Sequence, residues 1–109
     1  MATTFIGSTT TVNADAVVTK PASANLINHI TMIIPSYTVA VAGNLTVKNG
    51  TTAILDISLT VANPGPLIFE DRNALQSDIG NSMEVRLLNG GVTVTQKLNV
   101  IGYVTETYQ

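Results

Sequence analysis

Hydrophobic and polar residues alternate along most of the chain, and the longest strict alternation closes it. From Val92 to Thr105, Val92, Val94, Leu98, Val100 and Val104 share one parity while Thr93, Thr95, Lys97, Asn99 and Thr105 share the other. A period of two is that of a strand with one buried face. Thr9 to Thr19 alternates in the same way, with Val12, Ala14, Ala16 and Val18 on the core side and Thr11, Asn13, Asp15 and Val17 opposite. Ahead of it, Gly7-Ser8 allows residues 1–8 to separate as an N-terminal arm.

The middle of the chain predicts further strands. After the Lys20–Asn25 loop, Leu26 to Ile34 places Leu26, Ile30, Met32 and Ile34 inward, and Ile27, His29, Thr31 and Ile33 outward. Asn28 breaks that pattern, and Pro35-Ser36 is expected to end the strand because proline cannot continue a central ladder. Thr38–Val41 and Asn44–Lys48 read as one strand interrupted at Ala42-Gly43. Asn49-Gly50 between alternating segments predicts a type I′ hairpin turn. Its return strand is Thr52–Val61, with Ala53, Leu55, Ile57, Leu59 and Val61 inward and Ile54 on the outer parity.

Asn63-Pro64-Gly65-Pro66 predicts a turn, and Leu67-Ile68-Phe69 an edge strand at most. Residues 70–81 have no clean period; an irregular loop with one helical turn at Asn73–Gln76 is expected. Ser82–Leu88, with Met83, Val85 and Leu87 inward, is expected to pair as a second hairpin with the last strand across Asn89-Gly90-Gly91. About eight short strands and no helix predict a compact antiparallel β-sandwich, jelly-roll or Ig-like. At 109 residues the chain is expected to be a single domain.

Composition sharpens this picture. Apolar residues make up 45% of the chain and charged residues only 11%, against about 25% charged in ordinary domains. The surface must therefore be built mainly from Thr, Asn, Ser and Gly, which suggests that much of it faces other protein. Net charge is −2 and the five basic residues are scattered, which argues against nucleic acid as a partner. There is no apolar run near 18 residues, so no membrane association and synthesis in the cytosol are expected.

Candidate chemistry is sparse. His29 is the only histidine and there is no cysteine, which disfavours a zinc site, and no nucleophile and orienter are evident around His29 in the sequence pattern. No cofactor or metal is expected. Glu70, Asp71 and Asp78 could bring oxygen ligands to calcium, but they match no EF-hand spacing and Arg72 lies among them to pair locally. The Asn44-Leu45-Thr46 and Asn49-Gly50-Thr51 triplets fit the N-glycosylation pattern by chance in an Asn- and Thr-rich chain. More telling is a set of apolar residues on outward parity: Ile27, Ile33, Ile54, Leu88, Ile101 and Tyr103. Side by side, several of these would make an oligomer or capsid interface, with His29 among them.

The motifs Asn25-Leu26-Ile27-Asn28-His29-Ile30-Thr31, Leu45-Thr46-Val47-Lys48-Asn49-Gly50-Thr51-Thr52, Met83-Glu84-Val85 and Leu98-Asn99-Val100-Ile101-Gly102-Tyr103 occur in that order. Together they resemble the head decoration (cement) proteins of tailed bacteriophages, over about residues 25 to 104. The segment Phe69-Glu70-Asp71-Arg72 departs from that family's pattern. The resemblance implies a non-enzymatic virion protein on the outer capsid surface, a homotrimer that binds the major capsid protein and stabilises capsomer joints. Ile27, Ile33, Ile101 and Tyr103 would then be buried between subunits, while loops such as Lys20–Asn25 and Glu70–Asn81 would touch the shell. Two other classes compete: a receptor- or glycan-binding tip domain of a tail fibre or spike, disfavoured by the absence of Trp, and a pilus-like or tail-tube subunit donating the Thr3–Thr19 segment.

Overall fold

The computed structural model describes residues 2–21, 23–69 and 75–106. Among these there is no helix, and the strands are β1 (Ala2–Val12), β2 (Ala16–Lys20), β3 (Leu26–Tyr37), β4 (Gly43–Asn49), β5 (Thr52–Leu59), β6 (Leu67–Ile68), β7 (Leu75–Gln76), β8 (Met83–Leu87) and β9 (Thr95–Glu106). They form two antiparallel sheets, one ordered β1-β9-β3-β6 with β7 also on β3, the other β2-β8-β4-β5. Only β4 and β5 are joined as a hairpin. The other connections, β6 and β7 being counted as one interrupted strand, cross from sheet to sheet, which makes the sandwich a jelly roll. Between the sheets lie Ile30, Ile33, Leu45, Val47, Met83, Val85, Leu87, Leu98 and Val100, each no more than 1% exposed.

Crossings that keep the alternation intact account for most departures from the sequence pattern. The expected Thr9–Thr19 strand is two strands, because Asn13 takes a left-handed φ of 53° and turns the chain from one sheet to the other. Residues 2–8, the stretch expected to separate as an arm, pair with β9 of the same chain. Thr38–Val41 is an exposed or half-exposed crossing, so β4 begins only at Gly43. A Cβ there would stand 2.5 Å from the Tyr37 ring, and glycine lets the crossing pass beneath it.

Turn chemistry also differs from expectation. The β4–β5 ladder closes at Asn49 and Thr52, so the turn residues are Gly50 and Thr51. Only Gly50 has positive φ, at 61°, which is the II′ pattern and not I′. The Asn89-Gly90-Gly91 turn closes no hairpin, since β8 and β9 belong to different sheets. Val92 lies in that crossing and is 75% exposed. Of the expected helical turn, Leu75 and Gln76 instead form β7 against Ile30 and His29; Asn73 and Ala74 lie outside the described residues.

The largest correction is in β3. Its register against β9 shifts at Thr31, with Ile30 opposite Gly102 and Met32 opposite Ile101. One inserted residue reverses every side chain beyond it. Asn28 and Ile30 face inward before the bulge, and Ile33, Pro35 and Tyr37 after it. Ile33, expected outward, is a core residue with 0% exposure, and Met32 and Ile34 are turned out. The strand also runs through Pro35. The Tyr37 amide donates to Ala62 O at 2.8 Å, away from β9. By alternation the Pro35 nitrogen points to that same side, beyond the end of β6, where no ladder bond is lost.

Candidate interface on the outer face of the β1-β9-β3-β6 sheet

The two outer faces of the sandwich differ in chemistry. On the β2-β8-β4-β5 sheet, Leu45, Val47, Val85 and Leu87 face inward. That turns Asn44, Thr46, Lys48, Glu84, Arg86 and Asp56 to the outside. Thr46 lies opposite both Arg86 and Asp56, and Lys48 lies opposite Glu84. Arg86 pairs with Glu84 at 3.2 Å and with Asp15 at 2.8 Å. This is an ordinary solvated, charged face.

The opposite sheet carries apolar side chains where water would be expected. Its outer face brings Ile101 opposite Met32, and Tyr103 opposite His29. Ile27 lies opposite Thr105, and Ile34 opposite Asn99. Ile68, opposite Met32 on β6, is 54% exposed. Lys97 stands at one end of β9, beyond Asn99. Of the residues expected at an interface, Ile27, His29, Ile101 and Tyr103 are therefore brought together. Ile33 is not among them, for the reason given above, and Ile54 lies on the other sheet, 38% exposed beside the β4–β5 register shift. Leu88, also expected outward, is exposed in the β8–β9 crossing. Met32 and Ile34 were hidden by the bulge, and Ile68 by the shortness of its strand.

His29 sits within this face. Its ring stacks on Tyr103 with centroids 4.3 Å apart and planes within 8°, and Nε2 lies 2.9 Å from Thr105 Oγ1. With 9% of its surface exposed, burial holds its pKa below the usual 6.5. The unfolded chain therefore binds a proton more readily than the folded one between the folded pKa and 6.5, and stability falls as pH drops below 6.5. Melting temperature measured against pH is expected to lose this acid limb in His29→Gln.

The described residues hold no cluster of three His, Cys, Asp or Glu side chains that could bind a metal ion. Glu70 and Asp71, proposed with Asp78 for calcium, lie outside the described residues. A shallow hollow lined by Ser36, Tyr37, Thr38, Asn63, Thr95 and Lys97 contains hydroxyls and one cation but neither carboxylate nor histidine. The two glycosylation-like asparagines have structural partners: Asn44 Nδ2 donates to Asp56 Oδ1 at 2.7 Å, and Asn49 Oδ1 accepts from the Asp78 amide at 3.0 Å and from Asn81 Nδ2 at 3.1 Å.

Comparison with known proteins adds the fold and little more. No protein-family model matches the chain, and no curated protein matches it. Among solved structures, the chain is similar to the nucleoplasmin-like N-terminal domain of Drosophila FKBP39, with TM-score 0.56 and 11% identity over 100% of this chain and 94% of that one. It also matches a CBM4 carbohydrate-binding module structure with TM-score 0.46 and 8% identity over 92% and 82% of the two chains. A pilus subunit of Bacillus endospore appendages matches with TM-score 0.44 and 12% identity over 94% and 86%. At such identities the likeness concerns the β-sandwich alone.

Proposed function

We propose that the protein is a non-enzymatic structural subunit that assembles through the outer face of its β1-β9-β3-β6 sheet, and specifically a phage capsid decoration protein that trimerises on the head surface. The observation that carries this proposal is the contrast between the two faces: one bears paired charges, the other Ile27, Met32, Ile34, Ile101 and Tyr103. These five side chains are half-buried, and apolar residues gathered on one outer sheet face mark an interaction surface. Covering it at about 25 cal/mol per Å² contributes several kcal/mol gross to association. The motif resemblance over residues 25 to 104 directs the proposal to a virion, and capsid symmetry favours a closed three-fold arrangement. A cement subunit needs a rigid wedge with adhesive faces, which a two-sheet sandwich with one apolar outer face can supply.

The first test is the absolute mass of the purified chain by light scattering across a dilution series. A mass equal to a multiple of three 11.4 kDa chains that persists on dilution is expected, followed by binding to undecorated phage heads. A monomer at every concentration would overturn the three-fold assembly.

A further inference from the structure

Strand β1 has β9 as its one partner among the described residues, and its far edge is open along its length. The phase of the ladder fixes which backbone groups lie there. Asn13 N donates to Val94 O at 3.3 Å, in register with the β1–β9 pairs, and Thr38 N donates to Thr95 O at 3.1 Å on the other side of β9. Even-numbered residues of β9 therefore bond β1, and odd-numbered residues bond β3. It follows that Gly7, Thr9 and Thr11 bond β9, while Thr4, Ile6, Ser8 and Thr10 direct N–H and C=O to the open edge.

Natural sheets protect such edges with charge, proline, bulges or brevity, and the other edges of this sandwich are protected. Strands β6 and β7 are two residues long. Strand β2 is five residues long and ends at Lys20, followed by Pro21. Strand β5 carries a register shift and Asp56. Strand β1 runs for eleven residues, ATTFIGSTTTV, without a charge or a proline.

We propose that β1 pairs antiparallel with β1 of a second copy of this chain about a two-fold axis, joining two β1-β9-β3-β6 sheets into one. A second copy is favoured because β1 is, among the described residues, the one long unprotected edge it can offer, and because two neutral strands oppose no like charges. In the register that pairs all eleven residues, about twelve backbone hydrogen bonds form. Gly7, whose Cβ position is filled by Val18, lies on the axis. Such a contact closes on itself and leaves no free edge. It is separate from the three-fold face, so in a decoration lattice it links neighbouring trimers.

Amide hydrogen exchange in the purified chain tests this directly. Gly7, Thr9 and Thr11 are protected by β9 in any folded state. Thr4, Ile6, Ser8 and Thr10 are expected to exchange about tenfold or more slowly in the concentrated protein than after dilution. Ser8→Pro removes an amide that bonds nothing within the chain, so it should keep the odd-numbered protection while abolishing the even-numbered protection and lowering the mass. Thr10→Lys serves the same purpose without proline. Even-numbered amides that stay unprotected at all concentrations, or become protected only when capsid protein is added, would overturn self-pairing. Edge protection that survives loss of the three-fold contact separates this proposal from the assembly face.

Discussion

Replacing Ile101 and Tyr103 together by Asp is expected to abolish the three-fold contact and leave the fold intact. Both side chains point away from the core, on the parity opposite to Leu98, Val100 and Val104, so neither substitution opens a cavity. In the assembly, however, each chain would carry two carboxylates into a surface lined by Met32, Ile27 and Ile34. Taking an unpaired carboxylate out of water costs several kcal/mol, and each 1.4 kcal/mol weakens association about tenfold. Two per chain weaken the contact by at least about 1,000-fold. Light scattering should find at most two chains per particle, and a single chain of 11.4 kDa when Ser8→Pro is added. Circular dichroism should still report a β-sandwich. A control on the charged face, Thr46→Asp, should leave the mass unchanged. If the double variant keeps the wild-type mass, the outer face of this sheet is not the contact.

Part of this face was legible in the sequence, and the missing part has a definite cause. Period-two alternation located Ile27, His29, Ile101 and Tyr103 correctly, because β9 runs without a bulge and the first residues of β3 precede the one at Thr31. Beyond Thr31 the same rule gave the wrong face for Met32, Ile33 and Ile34. Nothing in the side chains of a Thr between two isoleucine-rich segments announces an inserted residue. The two-sheet class followed from strand number and turn residues. The jelly-roll order did not, because Asn13 and Asn89-Gly90-Gly91 look alike whether they fold a strand back on its neighbour or send it to the other sheet. What separates these cases is tertiary: which side chains are available to satisfy the corner's backbone.

Those side chains gather at one end of the sandwich, and Gln96 is the centre of the group. It is fully buried at 0% exposure. Its Nε2 donates to Ala14 O at 2.7 Å and to Thr11 Oγ1 at 3.3 Å, and its Oε1 accepts from the Gly90 amide at 3.1 Å. One side chain thus ties the β1–β2 corner to the β8–β9 crossing. Asp15 reinforces the same junction, accepting from the Asn89 amide and from Arg86, both at 2.8 Å. The Asn89 amide, and then Arg86, hold the Asp15 carboxyl below its usual pKa. Asp15 and Arg86 remain partly solvated, with side chains 28% and 40% exposed, so water can replace part of what they supply. The Gln96 side chain is itself withdrawn from water, whereas its partners are half-buried at Thr11 and Gly90 and exposed at Ala14. Gln96→Leu keeps the volume but leaves the half-buried Gly90 amide without its partner, at about 1–3 kcal/mol, while Ala14 O keeps the Thr11 hydroxyl at 2.6 Å. A loss of about 1–3 kcal/mol is expected, which for a domain of this size lowers the melting temperature by about 5–20 °C. Gln96→Glu is the informative companion. It keeps the acceptor for Gly90 but loses the donor to Ala14 and sets a carboxylate against that carbonyl, so its destabilisation should ease as pH falls and the acid protonates. A Gln96→Leu variant that melts within a few degrees of wild type would mean that water reaches this corner and that the crossings are held by the hydrophobic core alone.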